Sequence, residues 1–198
     1  MTMRFRKPSE SEDGFTLIEL MVASLLGVLV LSVVGGIMWS SSQAEGLVRN
    51  VTSATSAGQA VANSLENGIR NSENSFGQVV PLKILTSGSD QMVVALVAQN
   101  GATASAKCQA WYYDATNKLI RYTTSASAIA LPSSATLATW TKLSTGVKPI
   151  TGSTTVFSLR GTTGLNFAFQ EDAGKDPAVA FQSSITSRTG LTGSVACF

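Results

Sequence analysis

Residues 14–20 read Gly-Phe-Thr-Leu-Ile-Glu-Leu, and they begin a long apolar stretch with a single acid near its start. Glu19 is the only charged side chain between Phe15 and Ala44. A carboxylate inside a membrane span costs roughly 2.5–3.5 kcal/mol on the scale derived from translocon insertion. We therefore expect Glu19 to have a partner or a role that offsets this cost.

The apolar stretch is long enough to cross a membrane as a helix. Its central part, Leu20–Met38, has no charge and no proline. At 1.5 Å per residue, a helix over residues 15–44 exceeds the roughly 30 Å of the hydrocarbon core. Arg4, Arg6 and Lys7 favour an N-terminus that stays in the cytoplasm, with the remainder of the chain outside.

Three interpretations of this segment compete. An ordinary signal peptide, cleaved after Ala44, has an apolar region of 7–15 residues, and this one is longer. A simple membrane anchor leaves Glu19 without a purpose. A cut between Gly14 and Phe15 creates a new α-amino group four residues before Glu19, at the start of the apolar helix.

The seven residues 14–20 resemble, at every position, the class III signal of type IV prepilins and type II secretion pseudopilins. The resemblance implies that residues 1–14 are a leader, which a membrane-embedded aspartyl peptidase removes by cutting after Gly14. It also implies N-methylation of Phe15 by the same enzyme. Glu19 would act in assembly, by pairing with the Phe15 amine of a neighbouring subunit. The implied partners are the prepilin peptidase and methyltransferase, other pilin subunits, the inner-membrane assembly platform, and membrane lipid before assembly.

Beyond the span, the helical pattern continues as an amphipathic segment over residues 45–75. Its apolar residues recur every three or four positions, which is typical of one face of an α-helix. They are Leu47, Val51, Ala54, Gly58, Val61, Leu65 and Ile69. Together the two segments predict one helix from about Phe15 to Ser72.

The remaining residues, 76–198, predict a β-rich globular head. Seven runs are rich in β-branched and aromatic residues, as strands are. They are Gln78–Leu85, Gln91–Ala98, Gln109–Tyr113, Lys118–Thr124, Thr155–Leu159, Leu165–Phe169 and Ala178–Ile185. We therefore predict an α+β fold, in which a long N-terminal helical spine is followed by an antiparallel sheet.

One part of the head carries a second, looser resemblance. Residues 108–114 read Cys-Gln-Ala-Trp-Tyr-Tyr-Asp, and a short turn separates them from Leu-Ile-Arg-Tyr at 119–122. The aromatic-Asp-turn-Leu-x-Arg pattern is similar to the heads of larger minor pilins and J-type pseudopilins. The aromatic side chains favour strand packing over an adhesive or base-stacking surface.

Composition argues against an enzyme. The chain has no histidine, which removes the commonest general base and metal ligand. Its two cysteines, Cys108 and Cys197, lack C-x-x-C spacing. They can form one disulfide in an oxidising compartment, and the alternative is two separate buried thiols. No glycine-rich phosphate loop is present, and the basic residues are scattered. We predict no cofactor and no nucleic-acid partner.

Three acids form a weak calcium candidate. Glu171, Asp172 and Asp176 lie within six residues of one another, and some pseudopilins bind calcium. The segment lacks the spacing and distal glutamate of an EF-hand loop. A solvated turn is the favoured interpretation, so we predict no metal site.

These observations favour a minor structural subunit of a type IV pilus or related filament, in the inner membrane and then in an extracytoplasmic filament. One alternative is a pseudopilin of type II secretion or DNA uptake. Another is an envelope protein that uses the span only as an anchor and carries an adhesive or ligand-binding head.

Overall fold

The computed structural model describes residues 14–98, 106–188 and 195–198, so the predicted leader, residues 1–14, lies outside the described residues except for Gly14. The first helix, α1, spans Leu17–Arg70. It begins after Thr16, whose side chain caps the first turn, rather than at Phe15. It also ends slightly before the predicted Ser72, because the chain enters an extended segment there.

The chain divides into two compact units, residues 1–46 and 47–198. In the first unit, every described residue up to Glu45 is exposed, including the large apolar side chains of the stretch. The described residues include one helix that is long and apolar enough to cross a membrane, by length and composition. No described residue of the first unit buries these apolar side chains, which is typical of a segment that contacts lipid or other helices.

The second unit contains antiparallel strands, as the sequence predicts. The strands are β1 (Ser72–Glu73), β2 (Leu82–Ser87), β3 (Asp90–Val97), β4 (Lys107–Asp114), β5 (Leu119–Ser125), β6 (Thr141–Thr145), β7 (Val147–Pro149), β8 (Phe157–Arg160), β9 (Gly164–Ala173) and β10 (Asp176–Thr186), and a short helix, α2 (Ser134–Ala138), precedes β6. They form two sheets rather than one. The first has the order β1-β3-β4-β5-β6, with β2 also on β3, and the second has the order β10-β9-β7, with β8 also on β9.

The strand prediction was wrong at the start of the first long strand, and it omitted β1, β6 and β7. The first long strand begins at Leu82 rather than Gln78, because Pro81 lacks a backbone donor and Gln78 belongs to a turn closed on Ser75. The sequence analysis missed β6 and β7, which are short and polar and lie at sheet edges. The chain passes from one sheet to the other at Gly146, where φ is +90°.

The second half of α1 packs against both sheets. Its buried residues are Ala54, Gly58, Val61, Leu65, Gly68 and Ile69, which match the predicted apolar face from Ala54 onward. Val61, Leu65 and Ile69 join side chains of both sheets in one cluster, the inner core. A Cβ at Gly58 would overlap the ring of Phe181, and one at Gly68 would overlap the ring of Trp111. The two glycines therefore let the helix approach each sheet closely.

A second cluster, the outer core, lies on the other face of the first sheet. It contains alternate residues of β3 and β4 together with Ile129, Leu137, Trp140 and Cys197. Because both faces of the sheet are covered, β3 is buried from Gln91 to Val97. This explains why β3 is a continuous apolar run rather than an alternating one. The cysteines at 108 and 197 form a disulfide here, with an S–S distance of 2.02 Å, which attaches the C-terminal residues to β4.

Gln91 connects the two sheets through its buried amide. Its Oε1 accepts hydrogen bonds from the backbone N–H groups of Val156 (2.6 Å) and Phe157 (3.0 Å). Its Nε2 donates to the carbonyl oxygen of Phe157 at 3.1 Å. One side chain thus satisfies three buried backbone groups where β8 approaches β3, and an unsatisfied group of this kind costs about 1–3 kcal/mol.

Gln91→Glu should therefore lower the free energy of unfolding by about 2–3 kcal/mol. The carboxylate cannot donate to the Phe157 carbonyl and would face it with like charge. Urea unfolding of the detergent-solubilised chain measures the effect. Gln182→Glu on β10 is the matched control, since Gln182 is exposed, and it should change stability by less than about 0.5 kcal/mol. Equal effects of the two changes would contradict this account of Gln91.

Replacing both cysteines with alanine should cost about 2–5 kcal/mol of stability, because the disulfide closes a sequence separation of 89 residues. Thermal unfolding with and without a thiol reductant measures this. The wild-type melting temperature should fall in reductant and that of the double variant should not. A wild-type chain that is fully reduced by mass yet melts unchanged would contradict the prediction.

Candidate functional site at the start of the first helix

The first turn of α1 is closed by a capping box formed by Thr16 and Glu19. The Thr16 hydroxyl accepts a hydrogen bond from the backbone N–H of Glu19 at 3.4 Å. In return, the Glu19 carboxylate accepts one from the backbone N–H of Thr16 at 3.2 Å. This reciprocal pair satisfies two backbone donors that a helix N-terminus otherwise leaves open. The Thr-x-x-Glu spacing was a visible signal that the sequence analysis did not use.

Only one oxygen of Glu19 takes part in this arrangement. Oε2 accepts from the backbone N–H of Thr16 and from its hydroxyl, the latter at 3.0 Å. Among the described residues, Oε1 has no hydrogen-bond donor. The acid also lies in the first turn, where the helix dipole favours a negative charge. Glu19 therefore stabilises its own helix start and keeps one oxygen for a further donor.

The predicted cut lies immediately before this capping box. Phe15 precedes Thr16, so a cut between Gly14 and Phe15 leaves both members of the box in the same chain. The new α-amino group would have a reference pKa near 8 and carry a positive charge at neutral pH. Cleavage would thus add a cation at the helix start without removing the cap.

The tryptophan and tyrosine residues on and beside the strands pack in the interior of the second unit. Trp111, Tyr112, Tyr113 and Trp140 are buried, and Tyr122 is partly buried. The indole Nε1 of Trp111 donates to the Ser64 hydroxyl of α1 at 2.8 Å. This confirms the interpretation that the aromatic residues are core residues.

The three candidate calcium ligands have separate partners. Asp172 pairs with Lys148 at 2.9 Å, and the hydrogen bond from that lysine lowers the pKa of Asp172. Asp176 accepts a hydrogen bond from the side-chain amide of Asn50 at 2.8 Å. Glu171 Oε1 accepts one from the Ser144 hydroxyl. In the part of the chain that the structure describes, no three acids, cysteines or histidines are placed to hold a metal ion.

Glu171 differs from the other two acids because it is buried, with 1% of its surface exposed. Burial raises its pKa, and the Ser144 hydrogen bond offsets part of that rise. The sequence analysis placed it in a solvated turn, whereas β9 extends through Ala173. The missed signal was the alternation of the strand, in which Glu171 is in phase with the inward-facing Phe167 and Phe169.

Comparison with known proteins gives one match. The family model described as the prokaryotic N-terminal methylation motif matches residues 11–35. No curated protein and no solved structure matches the chain. The matched residues include the predicted cut, the capping box and more than half of the apolar stretch. Residues 11–35 therefore form the class III signal that type IV pilins and pseudopilins carry.

Proposed function

We propose that the chain is a minor structural subunit of a type IV pilus or a related filament. The observation that carries the proposal is the class III signal, in which Glu19 is the one charged side chain of the apolar stretch over residues 15–44. The long helix followed by a β-rich unit fits a filament subunit, and the motif fits a structural role rather than an enzymatic one. The relatively large head and its Ser- and Thr-rich loops favour a minor subunit over an abundant one.

The proposal includes the predicted division of the chain and its location. Residues 1–14 are removed, 15–44 lie in the membrane and then in the filament core, 45–75 continue the helix, and 76–198 form the head. The apolar helix and the signal fit a bitopic inner-membrane protein. We place its N-terminus in the cytoplasm and its head outside, where the disulfide between Cys108 and Cys197 is stable.

In this proposal, cleavage and assembly are linked by charge. Among the described residues, the donors to Glu19 are neutral and come from Thr16. After the cut, each subunit carries a positive amine on Phe15, which can pair with the free oxygen of Glu19 on a neighbour. Opposite charges attract strongly in hydrocarbon, and each is costly there alone. The pair would therefore favour subunits that have been processed and are in register.

A pseudopilin of type II secretion or DNA uptake is the second candidate, because the same signal marks both kinds of subunit. Deletion of the gene separates them. Loss of surface filaments or motility supports the pilus, and loss of exoprotein release or transformation supports the pseudopilus.

Two substitutions separate the charge of Glu19 from its capping role. Glu19→Gln keeps the cap, because glutamine accepts the same backbone bond, but it removes the anion. Thr16→Ala weakens the cap and keeps the anion. We expect Glu19→Gln to lower incorporation into sheared filaments by at least about tenfold, since breaking one side of a buried ion pair is costly. Thr16→Ala should lower it much less.

Quantitative immunoblotting of filaments against membranes measures both variants, and the size of the membrane-bound chain shows whether cleavage is intact. If Glu19→Gln assembles normally while Thr16→Ala does not, Glu19 acts as a cap and not as a partner of the amine.

The mature chain should begin at N-methylated Phe15. Mass spectrometry of the N-terminal peptide from membranes measures this directly. Gly14→Val should retain the leader, lack the methyl group and fail to assemble, because no amine forms beside Glu19. Gly27→Val, further along the same exposed helix, is the control and should be processed normally. A mature start at Glu45 would indicate an ordinary secreted protein, and an uncut start a simple anchor.

A further inference from the structure

The second unit contains a small cavity beside the buried acid Glu171. Its volume is about 210 Å³. Its walls come from residues 50–57 of α1, from Thr145 at the end of β6, and from the end of β9 with the following turn. The residues from the helix include Ser53, Ala54 and Ala57, whose small side chains leave the space open.

Glu171 lines this cavity, and one of its oxygens has no donor among the described residues. The Ser144 hydroxyl donates to Oε1, and no described residue donates to Oε2. In the described part of the chain, every fully enclosed side-chain oxygen or nitrogen has a hydrogen-bond partner. Oε2 is therefore not fully enclosed, and the cavity is the open space that Glu171 lines.

The charges around the cavity are unbalanced. Of the described residues that line it, the charged ones are Glu171 and Asp172, and both are acids. Asp172 is paired with Lys148 and also accepts from the backbone N–H of Gly174. Asp176, on the next strand, accepts from Asn50. Glu171 has only a neutral hydroxyl, and a buried carboxylate without a cation is costly.

We propose that this cavity receives the ammonium group of a lysine from a neighbouring subunit, which pairs with Glu171 when the filament forms. This inference rests on the proposed function, since it requires a filament in which heads contact one another. The contact would act on the head, separately from the pairing of Glu19 within the membrane segment.

The available acceptors favour lysine over arginine. Arginine binds a carboxylate best through two parallel hydrogen bonds, and Ser144 already occupies one oxygen of Glu171. An ammonium group is a compact charge with three donors, so it can use a single carboxylate oxygen. Asn50 also lines the cavity, and its amide nitrogen is used by Asp176, which leaves its side-chain oxygen as a second acceptor.

A water-soluble carbodiimide tests the contact in wild-type filaments, because it joins a carboxylate to a lysine amine that touches it. Mass spectrometry of digested, sheared filaments should find a peptide containing Glu171 linked to a lysine of another subunit. The link should be absent from the detergent-solubilised, unassembled chain.

Glu171→Gln provides the second measurement, with Asp172→Asn as the matched control on the same strand. Glu171→Gln should lower incorporation into filaments about tenfold, since it removes one charge of a desolvated pair. Asp172→Asn should change incorporation less than about twofold, because Asp172 is exposed and has its own lysine.

The thermal stability of the solubilised chain should not fall with Glu171→Gln, although its incorporation into filaments should. A raised pKa in the folded state means that stability falls as pH rises from the unfolded pKa of a glutamate through the folded one. Glutamine removes this loss, so the variant should unfold at equal or higher temperature than wild type at pH 7. A purely structural role would not combine equal or greater stability with weaker assembly.

The outcomes separate this inference from the proposed function. A wild-type chain that never enters filaments overturns both. A wild-type chain that assembles without the Glu171 link overturns only the lysine contact, as does a Glu171→Gln variant that assembles normally. Glu171 would then be protonated or hydrated in the filament. If the variant misfolds, the link in wild-type filaments decides alone.

Discussion

The close approach of α1 to two aromatic rings is the contact on which the second unit depends. Gly58 lies against Phe181 of one sheet and Gly68 against Trp111 of the other, at positions ten residues apart on one helical face. Val61, Leu65 and Ile69 share that face and are fully buried. The helix therefore packs against both sheets, whose apolar side chains also meet in the inner core. A larger residue at either glycine would require the facing ring or the helix to shift.

Buried polar side chains in this unit have hydrogen-bond partners where the sheets and the helix meet. The Gln91 amide forms hydrogen bonds with backbone groups of Val156 and Phe157, between the two sheets. The indole nitrogen of Trp111 donates to the Ser64 hydroxyl of the helix. Each of these nitrogen and oxygen atoms has a partner within the chain. Glu171 is different, because it lines a cavity and one of its oxygens has no donor among the described residues. A buried acid that is only half satisfied is unusual in a core whose other polar groups are paired.

Glu19 and Glu171 present the same physical problem in two environments. Among the described residues, each acid has one oxygen that accepts from neutral donors and one oxygen that has no donor. For Glu19 the capping box reduces the cost of the charge before any partner arrives. For Glu171 the reduction comes from the Ser144 hydroxyl and from a raised pKa. In our proposals, both acids receive their cation from another subunit, so both make assembly favourable.

Local patterns in the sequence were sufficient for the α+β class, for the long helix and for most strands, because the apolar period and the β-branched runs are local properties. The motif at residues 14–20 was sufficient to predict the class III signal, since the signal is itself a sequence. The division into two sheets, the edge strands β6 and β7, and the burial of Glu171 were decided only by the tertiary structure. They depend on which strands meet in space and on what covers the second face of a sheet. An acid at the end of a strand looks solvated until the chain folds a helix over it.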